Sequence, residues 1–227
     1  MKALNKVTLA LLTTVAATSV SAASLNVRHE YKSHTEQHST RIKMGDSIGN
    51  FYFSGELKFK GADGDFMKDL QNNGWELDLG YRYKIDGTNW TIQPGMPIEG
   101  RSAGMTYKPQ LRATYALESV DGLSLSARYR YDIRTHSNGD STQFRHRITG
   151  NVNYSVADWK FGFEANYYDA EDSWILWDGK SENYELNLTA GRKFGDWYPY
   201  VEFGDVNASS TSATRELRSR VGLTYSF

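Results

Sequence analysis

The chain has 227 residues, with 26 Lys plus Arg against 27 Asp plus Glu, and no cysteine. That balance argues neither for nucleic acid nor for an acidic membrane surface as partner, and the lack of thiols excludes a disulfide framework and thiolate chemistry. Aromatic residues are plentiful (15 Tyr, 10 Phe and 6 Trp) although the mean hydropathy is −0.60, as expected of strands whose two faces cancel.

Lys2 and Lys6 precede the short apolar run Val7–Ala17, and Ser19-Val20-Ser21-Ala22 supplies a small-x-small pattern. Residues 1–22 therefore read as a signal peptide cut after Ala22, leaving residues 23–227 as the folded domain. Beyond this leader no apolar run reaches about 18 residues, which excludes helical membrane spans.

The remainder alternates in about twelve segments. They are Ser24–Lys32, Arg41–Asp46, Phe51–Lys60, Gly74–Ile85, Trp90–Glu99, Tyr107–Leu117, Leu123–Arg134, Thr142–Tyr154, Trp159–Tyr168, Tyr184–Phe194, Trp197–Asp205 and Arg215–Phe227. The fourth is the cleanest. Trp75, Leu77, Leu79, Tyr81, Tyr83 and Ile85 oppose Glu76, Asp78, Gly80, Arg82 and Lys84, the period of two that a strand with one apolar face requires. The fifth carries Pro94 and Pro97, which mark a bend or bulge. Tight connections (Ser47–Asn50, Asp86–Asn89, Glu118–Gly122, Ser155–Asp158, Gly195-Asp196) alternate with longer polar ones (Ser33–Thr40, Gly61–Asn73, Gly100–Thr106, Thr135–Ser141, Asp169–Asn183, Val206–Thr214). A soluble sandwich would also alternate its faces, but short-long alternation and strands near ten residues point to a transmembrane antiparallel β-barrel. Such a barrel has short periplasmic turns and longer external loops. Trp75, Trp90, Trp159, Trp197, Tyr129, Tyr131, Tyr167 and Phe227 sit near segment ends, as in the aromatic girdles of outer-membrane barrels.

Seventeen basic residues share one face of these segments, among them Arg28, Arg112, Arg128, Arg130, Arg145, Arg147, Lys160, Arg218 and Arg220. A single Arg or Lys facing mid-bilayer lipid costs about 2–4 kcal/mol, so that face must be the lumen. Nine acids share it, including Glu30, Asp132, Glu164 and Glu202, and so do Tyr52, Tyr168, Tyr198 and Tyr200, whose rings suit sugar faces or simple packing. The inward bases outnumber the inward acids, which favours a pore that attracts anions over a merely charge-paired interior. Arg is suited to carboxylates because its planar fork binds them bidentately. Three residues break the parity. Arg192 faces outward, as though Gly191 hosted a bulge, and so do His29 and His146.

Several strings are distinctive: Val27-Arg-His-Glu-Tyr31, the Ala-Arg-Tyr-Arg core of Leu123–Tyr131, Thr149-Gly-Asn-Val-Asn-Tyr154, Trp197-Tyr-Pro-Tyr-Val-Glu-Phe-Gly-Asp205 and Arg218-Ser-Arg-Val-Gly-Leu-Thr-Tyr-Ser-Phe227. Together, and in order along the chain, they resemble the KdgM family of small, monomeric, twelve-stranded outer-membrane porins specific for oligogalacturonates, with relatives that pass sialic acid. The resemblance implies passive uptake of acidic oligosaccharides through an arginine-lined pore. By position it makes Arg28, Arg112, Arg128, Arg130, Arg218 and Arg220 the carboxylate contacts, with Glu30 and Glu202 as their lumenal partners. The chain departs from that pattern in its eighth strand, where Arg145-His-Arg147 adds basic residues, and in the loops Gly61–Asn73 and Asp169–Asn183. The expected partners are acidic oligosaccharides and outer-membrane lipid, with no nucleic acid, cofactor or metal; His34-x3-His38 is a weak metal pair.

Two other readings share the barrel. An outer-membrane hydrolase, lipase- or protease-like, could use His29 or His146, but no Ser, His and acid share a local signature. A closed structural or adhesion barrel would fill its lumen with paired charges and conduct nothing.

Overall fold

A strand that turns charges one way and aromatics the other can bury its polar face only against other polar faces. The computed structural model, which describes residues 23–61, 66–171 and 174–227, meets that demand by closing a single antiparallel sheet on itself. The strands are β1 (Ser24–Lys32), β2 (Gln37–Ile48), β3 (Phe51–Lys60), β4 (Gln71–Tyr81), β5 (Tyr83–Lys84), β6 (Trp90–Gly95), β7 (Ile98–Arg101), β8 (Gly104–Tyr107), β9 (Gln110–Ala116), β10 (Leu123–His136), β11 (Gln143–Val156), β12 (Trp159–Ala170), β13 (Glu182–Arg192), β14 (Trp197–Asn207) and β15 (Arg215–Ser226). Three pairs, β4 with β5, β6 with β7 and β8 with β9, are interrupted single staves, so the barrel has twelve. The leader expected over residues 1–22 lies outside the described residues.

Closure runs through the two ends of the chain. β1 pairs with β15 from Ser24↔Ser226 to Lys32↔Arg218, and the Phe227 amide donates to the Ala23 carbonyl at 2.9 Å. With no free edge, the backbone ladders pair within the protein, which lipid demands.

Burial is inverted relative to a soluble domain. Val221 on the outer face is 65% exposed, whereas Arg218 on the inner face is 8% exposed. Among the described residues only Tyr168, Ala170, Leu176 and Val206 form the buried apolar set, while Glu56, Glu99, Lys108, Arg130, Asp132 and Glu216 are among the buried polar ones. Outside, a shallow apolar groove between Phe161, Phe163, Leu188 and Phe203 is ordinary lipid-contact surface. Trp90, Trp159, Trp197 and Phe227 lie outward near the end that holds both termini, and Trp75, Tyr129 and Tyr167 outward toward the other.

Inner rings are laid flat by glycine. A side chain at Gly222 would collide with the Tyr200 ring, one at Gly80 with the Tyr52 ring, and one at Gly191 with Tyr198 (Cζ at 2.6 Å). The tyrosines therefore lie along the wall instead of crossing the lumen.

The structure corrects several boundaries. β2 begins at Gln37, so the expected loop Ser33–Thr40 shrinks to residues 33–36 and His38 belongs to a strand. The expected loop Gly100–Thr106 is a hairpin between β7 and β8, and His136 ends β10. Two of the six connections at the outer end are thus as short as the periplasmic turns. Gly191 hosts no bulge, since Lys160↔Gly191 and Trp159↔Arg192 pair in unbroken register. The register shift lies instead between Lys58 and Phe59, opposite Gly74, whose φ of 111° only glycine adopts freely. Arg192 faces outward because it sits at the rim, within 3.8 Å of Asp158 and over the Trp159 and Phe194 rings. The outward histidines are partnered too. His29 contacts Thr40 Oγ1 at 3.0 Å and His38 Nδ1 at 2.9 Å, and His146 contacts the Tyr129 hydroxyl and Glu171 Oε1, each at 2.7 Å.

Candidate functional site: a lumenal arginine network

Because pleats from neighbouring strands align, inward side chains form rows across the wall. One row runs Gln93, Arg112, Arg128, Thr149, Asn166 over β6, β9, β10, β11 and β12. The next runs Gln110, Arg130, Arg147, Tyr168, and beyond it Asp132 pairs with Arg145. Arg28, Glu30, Arg218 and Arg220 sit on β1 and β15, half the barrel away from β10 in strand order. The sequence-predicted arginines thus form two facing walls.

On the β10–β11 wall Asp132 is the hub. It is fully buried, and its Oδ2 accepts from Arg145 Nη2 at 2.6 Å, Arg145 Nε at 3.0 Å and Arg130 Nη2 at 3.1 Å. Arg130 Nε also lies 2.7 Å from Asp132 Oδ1, but off its N–H axis, so that contact is ionic rather than a directed hydrogen bond. Arg130 and Arg147 face each other across the ladder, a repulsive pairing of like charges. Asp132 relieves it from one side. On the other, Arg147 donates twice to Asn166 Oδ1, at 2.7 and 3.1 Å, with Glu164 3.8 Å away.

The β1–β15 wall has its own hub in Arg220. It donates from Nε to Glu30 at 2.6 Å and from Nη1 to Glu202, bridging β1 and β14. Arg218 donates to Asn187 at 2.7 Å and lies 3.5 Å from Glu185. A third cluster, which the sequence did not single out as a unit, joins Lys58 and Lys108 to Glu76 and Glu99 at 2.6–3.5 Å.

These contacts sort the arginines into two kinds. Arg130, Arg145, Arg147, Arg218 and Arg220 are neutralised within the wall. Arg112 has only neutral partners, Ser126 at 3.5 Å and Asn151 at 3.4 Å, and Arg128 only Thr149 at 3.2 Å and Gln110 at 3.5 Å. The Nε of Arg128 is buried and has no partner among the described residues. Arg28 has neither hydrogen bond nor ion pair among the described residues and lines a cavity of about 410 Å³ with Glu202 and Arg220. Three of the ten residues singled out in the sequence therefore present uncompensated charge, one on β1 and two on the opposite wall.

One feature of the outer mouth was missed. Trp174 lies under the guanidinium of Arg145 at 4.6 Å and near that of Arg134 at 5.3 Å, and Leu176 is buried against Tyr168 and Ala170. Its signal was present as Trp174-Ile-Leu-Trp177, an apolar run in an otherwise polar loop. Neither outward histidine hydrogen-bonds a serine. The hydroxyls beside them are Thr40, backed by a second imidazole, and Tyr129, with Glu171 behind.

A twelve-stave barrel with two arginine walls narrows the possible relatives sharply, and residues 16–227 match the model of the oligogalacturonate-specific porin protein (KdgM) family. The chain belongs to the KdgM family. It is 30% identical over 234 residues, all of both chains, to the uncharacterized protein YiiY of Salmonella typhimurium. It is also 30% identical over 220 residues, 91% of this chain and 92% of the relative, to the oligogalacturonate-specific porin KdgM of Dickeya dadantii. A solved structure of KdgM porin in complex with disordered oligogalacturonate superposes with a TM-score of 0.68 at 28% identity, covering 90% of this chain and 99% of that one. This KdgM-family chain is therefore an outer-membrane porin, as the resemblance implied, and the KdgM relative of Dickeya dadantii is named as a porin rather than an enzyme.

Proposed function

We propose that this porin admits acidic saccharides and oligosaccharides, oligogalacturonates among them, by passive diffusion through an anion-preferring lumen. Arg28, Arg112 and Arg128 are the solute-facing charges. Arg130, Arg145, Arg147, Arg218 and Arg220 form the basic wall behind them, with Glu30 and Glu202 holding Arg220. The observation that carries this reading is that the carboxylate-free arginines stand on opposite walls, so an anion passing between them meets charge from both sides. Because wall acids already occupy the other arginines, a solute carboxylate competes only weakly for those and is not trapped. The KdgM porin of Dickeya dadantii is named for oligogalacturonate, which fits the same charge pattern. The chain is read as exported with loss of residues 1–22, as a monomer and not an enzyme.

Purified protein in planar bilayers under a KCl gradient is expected to give a reversal potential of anion-preferring sign. Vesicles containing it should swell faster in galacturonate oligomers than in neutral oligosaccharides of equal length. A cation-preferring reversal potential would sink the anion reading, and equal swelling would sink the acidic-sugar reading. Sialate and alginate oligomers in the same swelling assay rank the possible solutes.

A further inference from the structure

Arg28 and Lys160 lie in one hydrogen-bonded row of the wall, which reads Arg28, Gly222, Tyr200, Gly191, Lys160 across β1, β15, β14, β13 and β12. The two glycines leave room for aromatic rings to lie down. The Tyr200 ring covers Gly222, the Tyr198 ring covers Gly191, and the two rings are nearly parallel, at 19° with centroids 5.7 Å apart. The result is a flat aromatic shelf with a cation at each end. Neither cation has a carboxylate partner among the described residues, and Lys160 Nζ rests 5.4 Å above the Tyr198 ring.

Tyr198 and both cations of the shelf line the cavity of about 410 Å³, within the roughly 300–1,000 Å³ of small-molecule sites. From β11, beside Lys160 on β12, Asn153 also lines the cavity, an amide suited to hydroxyls. The acids near it are engaged elsewhere, Glu202 by Arg220 and Glu164 by Asn151 and Asn166.

Resting on the acidic-sugar reading above, we infer that this shelf is a subsite for a single uronate residue. Its pyranose face lies on Tyr198 and Tyr200, its carboxylate meets Lys160 or Arg28, and its hydroxyls face Asn153. An aromatic face and a sugar's C–H face are complementary, because the ring's quadrupole is negative over its plane. A carboxylate arriving beside Lys160 replaces a cation–π contact with a charge-assisted hydrogen bond, the stronger of the two in a wet lumen. The aromatic shelf recognises the sugar ring and its end cations the carboxylate, whereas the arginine walls act on any anion.

Single-channel recording in KCl with added galacturonate or trigalacturonate tests this. The wild-type channel should be blocked in a concentration-dependent way. Lys160→Gln should raise the half-blocking concentration about tenfold, the loss of one hydrogen bond to a charged group; Tyr198→Leu should raise it severalfold through loss of the stacking face, and Tyr198→Phe should restore the wild-type value. Block by a neutral trisaccharide should respond to Tyr198→Leu and not to Lys160→Gln. The shelf is overturned if Lys160→Gln and Tyr198→Leu leave the galacturonate block unchanged, or if an anion-preferring wild-type channel shows no block. A cation-preferring channel indifferent to galacturonate overturns the acidic-sugar reading along with it.

Discussion

Replacing Arg112 and Arg128 together by serine is expected to lower the anion-to-cation permeability ratio by about three- to tenfold. Even at the dielectric constant of water, a unit charge about 6 Å away favours a passing anion and disfavours a cation by roughly 0.7 kcal/mol each, so two charges shift the ratio by up to about a hundredfold, which screening reduces. Neither arginine neutralises an acid, and their partners Ser126, Asn151, Thr149 and Gln110 are neutral, so the substitution leaves no orphaned charge in the wall. The double variant should therefore fold as the wild type does. Arg130→Ser alters the formal charge as well, but Arg130 is 7% exposed behind its ion pair, and no solute ion can approach it closely. Reversal potentials in 0.1 M and 1 M KCl give the measurement. The effect should shrink at the higher salt, where the screening length falls from about 10 to about 3 Å. If Arg130→Ser shifts selectivity as much as the double variant, the distinction between paired and unpaired arginines is wrong.

The largest stability effect is expected at Asp132. Its carboxylate holds Arg130 and Arg145, and Asp132→Ala would leave two guanidinium groups close together with no acid between them. Removing one partner of a buried ion pair costs about 3–5 kcal/mol, far more than the pair itself contributes relative to an apolar replacement. Urea unfolding in detergent, followed by the mobility shift of unheated samples on gels, should show a midpoint well below wild type. Asp132→Asn should fall between the two, because it keeps the shape and loses the charge. Glu171→Gln, at an exposed contact with His146 outside the barrel, should leave the midpoint where it is. An Asp132→Ala midpoint equal to wild type would show that water reaches Arg130 and Arg145 freely.

The barrel and its lumen were legible because lipid imposes a strict rule at mid-depth. A strand such as Leu123–Arg134 must turn Arg128, Arg130 and Asp132 together away from Leu125, Ala127 and Tyr129, and a period of two records that choice directly in the sequence. The rule lapses where strands rise above the membrane edge. Gln37–Thr40 and the β7–β8 hairpin stay paired without any need for an apolar face, so their sequences read as loop. Arg192 misled for a related reason, since a charge at the rim reaches water and Asp158 whichever way its strand faces. Which arginines are neutralised was not legible at all. It depends on the register that sets Glu30, Arg220 and Glu202 in one row and leaves Arg28 beside Arg41 and Gly222. Register is a property of strand pairs, and a single strand's pattern fixes only its faces.

The bond from Arg220 to both Glu30 and Glu202 also bears on how the cylinder is finished. Until the terminal strand arrives, Glu30 on β1 and Glu202 on β14 lack the guanidinium that bridges them, so a premature join would bring the two carboxylates together without it. Arg220 acts as a keystone supplied last: the final stave to be synthesised brings the cation that lets the first and penultimate staves coexist. On this view a chain ended at Thr214 should stay open and migrate as unfolded protein on unheated gels, and a compact band from it would refute the idea. Completeness of the chain would then be checked by electrostatics at the seam, before any solute reaches the pore.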